Sequence, residues 1–252
     1  MSEFETFSQL HYSGTPLLIG NVWDVASAKL FEDLDFKAIA TSSAAIANSL
    51  GYEDGQNMPF GLLLETVQRI KKNISIPLSV DMERGYANTI PGIIQNIEKL
   101  HEAEVIGINL EDSKDSRLRS VESFQKLISC VTNHLSRKNM QLFINARTDA
   151  FLLKLPNASA ETVLRAHTYE AAGANGLFVP FMTGITDIEK VVAATSVPVS
   201  VFFCKGLPDF KALAGAGVKR ISMGTALYRA VKKDLQKRIE TIQQAQSANS
   251  LF

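Results

Sequence analysis

The chain has 252 residues, of which 46% are hydrophobic and 21% charged, the make-up of an ordinary globular protein with enough apolar material for a large core. Its 26 Lys and Arg balance 26 Asp and Glu, and the absence of any basic block excludes a binder of nucleic-acid backbone, which needs clustered positive charge. No apolar run approaches the roughly eighteen residues that a membrane span requires, and Cys130 and Cys204 stand far apart without metal-ligand spacing, so neither a disulfide framework nor a zinc site is expected and a reducing cytoplasm fits.

In chain order, the opening MSEFETFSQLHYSG lacks a basic region followed by an apolar stretch, so no signal peptide is expected. Phe4 to Tyr12 reads as a short leading helix and Pro16 to Val22 (PLLIGNV) as the first buried strand. A pattern then repeats, in which a short apolar or β-branched run is followed by a polar loop and a longer stretch with helical spacing. Further strands are expected at Ala38–Ser42, Pro77–Met82, Val105–Leu110, Gln141–Ala146, Gly176–Pro180, Val197–Phe203 and Lys219–Met223. Helices are expected at Asp24–Leu34, Phe60–Lys72, Ile90–Glu104, Ser120–Ser136, Ser159–Ala172, Ile185–Ala194 and Pro208–Gly215, with a long terminal helix from Thr225. Strict alternation over eight units predicts an α/β fold, a (β/α)8 TIM-type barrel forming a single domain over residues 1–252. A doubly wound open sheet is the competitor, but no G-x-G-x-x-G follows the first strand to hold a dinucleotide.

In such a barrel the active site lies at the C-terminal ends of the strands. The segment LSVDMERGY, Leu78 to Tyr86, passes from an apolar run into acid, acid, base and glycine, as a buried parallel strand does where it emerges into a working loop. Asp81 and Glu83 are two apart and share a face, and VIGINLED (Val105 to Asp112) repeats the design with Asn109 and Glu111. If these strands are neighbours, Asp81, Glu83 and Glu111 converge, and close carboxylates repel unless a proton or cation lies between them. An all-oxygen set outlines a Mg2+ site that keeps several waters; solvated charges at strand ends are the plain alternative.

The fifth strand delivers Asn145, Arg147 and Asp149. Arg147 offers a planar fork suited to a carboxylate, the alternative being an inward arginine paired with Glu111 alone. Ser42 and Ser43 end the second strand and are equally suited to capping a short turn. Asp54 lies in Glu53-Asp54-Gly55-Gln56, a turn-forming run. Later strand ends, with Pro180, Cys204, Lys205, Ser222 and Met223, are mostly apolar, so polarity crowds the second to fifth strands. His11, His101, His134 and His167 fall on predicted helices, where surface placement is expected, and Arg229, Lys232, Lys233, Lys237 and Arg238 recur at helical spacing as a solvated face.

The run Gly20-Asn-Val-Trp-Asp24, Ala40-Thr-Ser-Ser43 with Ser49-Leu-Gly-Tyr-Glu-Asp54, then VDMERGY, INLED and Asn145-Ala-Arg-Thr-Asp149 resembles the isocitrate lyase/phosphoenolpyruvate mutase superfamily over nearly the whole chain. VDMERGY resembles its D-x-D/E-x-G-Y-G signature, with Ala87 in place of the last glycine and Arg84 where a small residue is usual. The resemblance implies Asp81 as direct Mg2+ ligand, with Mn2+ a possible substitute, and Glu83 and Glu111 holding the metal mainly through its waters. It implies that Ser42 and the backbone amides of Ser43 and Ala44 clasp a substrate carboxylate, that Arg147 pairs with the same anion, and that Asp54 lies near the reacting carbon. Arg147, Asp54 and Glu111 are thus the expected catalytic residues. Lyases of this superfamily carry a K-K-C-G-H segment after the fourth strand, whose cysteine protonates the departing enolate; here Asp112-Ser-Lys-Asp-Ser-Arg-Leu-Arg119 stands in its place. The phosphonomutases place an asparagine and a lysine in a longer loop, and no asparagine occurs here. The implied activity is a Mg2+-dependent carbon–carbon lyase acting on a small 2-hydroxy or 2-oxo dicarboxylate. Phosphoenolpyruvate or phosphonopyruvate chemistry on the same metal, or a ligand-binding barrel with little turnover, are the alternatives. A cytoplasmic homo-oligomer, dimer or tetramer, often with the last helix exchanged, is implied as well.

Overall fold

In the computed structural model, which describes residues 1–251, the expected alternation closes on itself. The parallel strands β1 (Leu17–Val22), β2 (Ile39–Thr41), β3 (Leu78–Asp81), β4 (Gly107–Glu111), β5 (Phe143–Arg147), β6 (Gly176–Phe178), β7 (Val199–Phe202) and β8 (Arg220–Ser222) form a closed barrel in which β8 pairs with β1. The last residue of the expected domain, Phe252, lies outside the described residues. The outer ring is built from α2 (Val25–Asp33), α4 (Phe60–Lys71), α5 (Ile90–Glu102), α6 (Val121–Arg137), α7 (Ala158–Ala171), α8 (Ile185–Ala193) and α9 (Phe210–Gly215). Among the described residues no helix is long and apolar enough to cross a membrane.

Two-residue alternation along each strand divides the core. Val80, Ile108, Leu110, Ile144, Leu177, Val201 and Ile221 pack with the helices in one large cluster. Leu17, Ile19, Ala38, Ala40 and Phe143 form a second, smaller cluster with Phe7 of the leading helix α1 (Glu3–Leu10), which closes the N-terminal end of the barrel. Phe143 fits there because its neighbours lack side chains: a Cβ on Gly107 would stand 3.2 Å from that of Phe143, and one on Gly176 would stand 2.9 Å from its ring.

α1 is started by a capping box between Ser2 and Glu5, and its inner face corrects the surface placement expected of His11. That ring is 1% exposed, stacked on Phe143 at 4.7 Å and edge-on to Phe7 at 5.1 Å, and its Nδ1–H donates to the Phe7 carbonyl at 3.0 Å. Burial, with the Arg220 charge nearby, lowers its pKa to about 3, so the ring is neutral.

Two unexpected elements lie at the C-terminal end. A short helix, α3 (Ser43–Ser49), follows β2 directly, with Ser42 as its N-cap, and Ser113–Lys114 pairs antiparallel with Arg117–Leu118. The ribbon turns on Asp115 and Ser116, at φ +50° and +58°, the left-handed pair that tight hairpins require. The terminal helix α10 (Ala226–Ala245) buries none of its residues and leaves Leu227, Val231, Leu235 and Ile239 exposed.

Candidate active site

A cavity of about 1160 Å3 opens at the C-terminal ends of the strands, and Ser42, Ser43, Ala44, Asp54, Asp81, Glu83, Glu111 and Arg147 all line it. Register accounts for the gathering, because Asp81 pairs with Asn109 and Glu111 pairs with Arg147. The Asp81 N–H donates to Thr41 Oγ1 at 3.0 Å, and its Oδ2 accepts from the Ser43 hydroxyl at 2.7 Å. The other oxygen, Oδ1, is buried without a hydrogen-bond partner. Glu83 takes a left-handed backbone, φ +48°, and its Oε1 accepts from the Tyr86 hydroxyl at 2.7 Å. Glu111 donates its N–H to the Glu83 carbonyl at 2.8 Å, which locks the β3 loop onto the end of β4.

Arg147 is more heavily engaged than in the alternative of an inward arginine paired with Glu111 alone. Its Nη1 lies 3.0 Å from Glu111, while Nε and Nη2 meet the two oxygens of Asp149 at 2.7 and 3.2 Å. Ser113 of the ribbon donates to the same Asp149 carboxylate. Below them Asp112 accepts from the Asp149 N–H at 3.1 Å, from Arg165 at 2.9 Å and from Tyr169 at 2.7 Å, a buried anchor for the β5 loop. Ser42 Oγ accepts from the Ala45 N–H at 3.3 Å, and the first-turn N–H groups of Ser43 and Ala44 have no acceptor within their helix. Asp54 is exposed on the rim. Its loop is held from below, where Arg84 donates to the Gly55 carbonyl at 3.0 Å and the Gln56 amide oxygen accepts the N–H groups of Arg84, Gly85 and Tyr86 at 2.7, 3.0 and 2.9 Å.

Burial raises the Asp81 carboxyl above its ordinary value despite Arg147 and the Ser43 hydroxyl. Burial likewise raises Glu83 to about 7 against the Tyr86 hydrogen bond, and Glu111 to about 8 against Arg147. Burial opposes the Arg147 charge, but Glu111, Asp149 and Asp81 outweigh it and hold the guanidinium charged. Carboxylates buried this closely repel one another and gain from any shared cation. Among the described residues no three His, Cys, Asp or Glu side chains stand close enough to ligate one ion directly. The unpartnered Asp81 Oδ1, in a cavity also lined by Glu83 and Glu111, fits Mg2+ bound by one carboxylate and reached by the others through water.

A family model described as phosphoenolpyruvate phosphomutase matches residues 7–243. The chain belongs to this family. A structure from Burkholderia cenocepacia J2315, provisionally assigned as a phosphonomutase, is 36% identical and superposes with a TM-score of 0.89 over 94% of this chain and 99% of that one. The oxaloacetate decarboxylase of Ectopseudomonas mendocina is 28% identical over 225 residues, 84% of this chain and 75% of its own. Phosphonopyruvate hydrolase, solved with oxalate and Mg2+, shares the fold at 21% identity with a TM-score of 0.86, over 99% of this chain and 90% of that one.

The segment after β4 borders the cavity. The expected short loop is a pinned ribbon on the cavity rim, where Ser113, Lys114, Asp115 and Ser116 line the opening. Cys204 also lines the cavity, half-buried, with its thiol pushed up by burial. Sequence reasoning assigned no role to Asp149, Tyr86 or Gln56. Arg147 and Asp149 are two apart at a strand end, the same spacing that drew attention to Asp81 and Glu83, and that signal was sufficient to pair them. Gln56 carried none, since its acceptor role depends on left-handed backbone at Gly85 and Tyr86.

Proposed function

We propose that this chain is a Mg2+-dependent lyase that breaks a carbon–carbon bond in a small 2-hydroxy or 2-oxo dicarboxylate, working as a single cytoplasmic domain. The observation that carries the reading is the buried Asp81 carboxylate, whose Oδ1 has no protein partner at the floor of a cavity shared with Glu83, Glu111 and Arg147. The decarboxylase relative and the oxalate and Mg2+ of the hydrolase support it. Asp81 holds the ion directly and Glu83 and Glu111 hold its waters; Mn2+ suits the same oxygen donors. When bound, the ion supplies Lewis-acid stabilisation of the negative charge that develops as the bond breaks.

Ser42 and the Ser43 and Ala44 amides receive one substrate carboxylate, and Arg147, held in orientation by Glu111 and Asp149, faces the developing anion. Asp54 stands on the rim beside the reacting carbon. Without a loop cysteine at the ribbon, proton return falls to water or to a rim group, which favours decarboxylation over reversible aldol cleavage. The exposed apolar residues of α10 support a homo-oligomer, dimer or tetramer, in which these helices pack between copies or exchange.

Titrating Mg2+ with oxalate into wild type and Asp81→Ala tests this, alongside a turnover panel of 2-hydroxy diacids, 2-oxo diacids and phosphonopyruvate followed by NMR. The expected result is oxalate binding that requires Mg2+, loss of that binding in Asp81→Ala, and turnover of at least one diacid by wild type. Binding without turnover of any member would leave a ligand-binding barrel. The 36% identical phosphonomutase-type structure favours phosphoenolpyruvate or phosphonopyruvate chemistry as the second reading, and turnover of phosphonopyruvate alone would select it.

A further inference from the structure

The side of the cavity opposite Asp81 and Glu83 is built from rings. Phe178, at the end of β6, lies beneath Arg147, whose guanidinium carbon is 5.8 Å from the ring centroid. Phe202, at the end of β7, meets Phe178 edge-on at 6.1 Å, and Phe181 meets Phe202 edge-on at 5.0 Å. All three line the cavity, so an unbroken aromatic row runs from the guanidinium to the opening.

Phe181 is the telling member. It is 46% exposed, and its backbone is left-handed at φ +61°, a conformation bulky residues rarely adopt and which persists where surrounding structure enforces it at a working site. Phe210, equally exposed, stacks on Phe203 at 5.8 Å and extends the apolar lining.

Size and charge both bear on what this wall receives. About 1160 Å3 is more than a four-carbon diacid fills, since cavities for drug-sized ligands run to roughly 300–1,000 Å3. Among the described residues no free cation is buried against the rings: Arg147 is engaged by Glu111 and Asp149, and Lys205 and Arg229 lie exposed at the edge. A second carboxylate pressed onto the rings would lose its water without gaining a partner. At the outer edge it would keep its hydration and meet Lys205 or Arg229.

We propose that the substrate is a 2-oxo or 2-hydroxy diacid bearing a branched-alkyl or aryl group on C3, and that this group lies on Phe178, Phe202 and Phe181. Burying such a group against rings removes apolar area from water and adds ring–ring contact. The inference rests on the metal-dependent diacid reading above and narrows it to a class with one apolar arm.

Calorimetric titrations in saturating Mg2+ test it with oxalate, malate, 3-isobutylmalate and 3-phenylmalate, on wild type, Phe202→Ala and Phe181→Ala. The substituted malates are expected to bind wild type at least about tenfold more tightly than malate. Phe202→Ala should remove most of that preference and Phe181→Ala part of it, while oxalate affinity stays within about twofold in both. Because Phe181 is nearly half exposed, its truncation tests the wall with less threat to the fold than that of Phe202. Substituted malates binding no better than malate, with oxalate still bound, would overturn this inference alone. Failure of oxalate to bind wild type with Mg2+ would instead overturn the metal-site reading beneath it.

Discussion

At the N-terminal end of the barrel a histidine is buried between phenylalanines and held neutral, while at the C-terminal end three carboxylates are buried around an open cavity and pushed toward their protonated forms. Both ends bury a titratable group. At the closed end the ring gives up its charge and gains stacking on Phe143, so burial there serves packing. At the open end Asp81 Oδ1 has no partner at all, and burial there keeps an oxygen available. The difference teaches that burial alone does not nominate a candidate functional group; burial next to accessible volume, with a polar atom unsatisfied, does.

The comparison breaks most visibly if the closed end proves to govern catalysis. Phe143→Ala should lower stability by about 3–5 kcal/mol, measured by urea unfolding, because it empties the space that Gly107 and Gly176 leave for the ring. Activity per folded molecule should stay near wild type. Unchanged stability would show that the small cluster does not hold the barrel together.

A smaller effect separates the two ends by pH. His11 has a folded pKa of about 3, below its ordinary 6.5. As pH falls below about 6.5 the unfolded chain takes up a proton that the fold refuses, so stability is lost on acidification, by about 2 kcal/mol between pH 7 and pH 5. In His11→Phe that loss should shrink, as read from denaturation midpoints at the two pH values. An equal loss in wild type and variant would sink the assignment of a neutral buried ring.

The open end should respond with the opposite sign. Glu83 and Glu111 have folded values of about 7 and about 8, above the ordinary 4.5. The fold therefore binds their protons more tightly, a contribution present below about 4.5 and lost as pH rises through 7 and 8. Without metal, Tm should drop between pH 6 and pH 8 by about 5 °C, and Mg2+ should restore more of it at pH 8 than at pH 6. A metal-free Tm that rises over this interval would contradict the shifts.

The barrel was legible because each strand is an apolar run and each helix carries its own spacing, so element type needed no tertiary information. α3 escaped because Ser43-Ala-Ala-Ile-Ala-Asn-Ser49 is a short helix joined to β2 through the single residue Ser42, too short a stretch to display helical spacing. The ribbon escaped because strands of two residues have no period to detect. The acids of β3 and β4 could be gathered from their two-residue spacing, and the same spacing at the end of β5 was enough to pair Arg147 with Asp149. His11 was misplaced although Phe4, Phe7 and His11 recur at helical spacing; that face became interior only once α1 closed the barrel.

The bare residues of α10 carry one more consequence. Leu227, Val231, Leu235 and Ile239 recur every fourth position, so the row leans across the helix axis, because 3.6 residues complete a turn. Two such ridges interdigitate best with axes inclined at about −50°, unlike the near-parallel seam produced by alternating steps of three and four. A second copy of this helix, laid ridge into groove on the first, would cross it like the arm of an X.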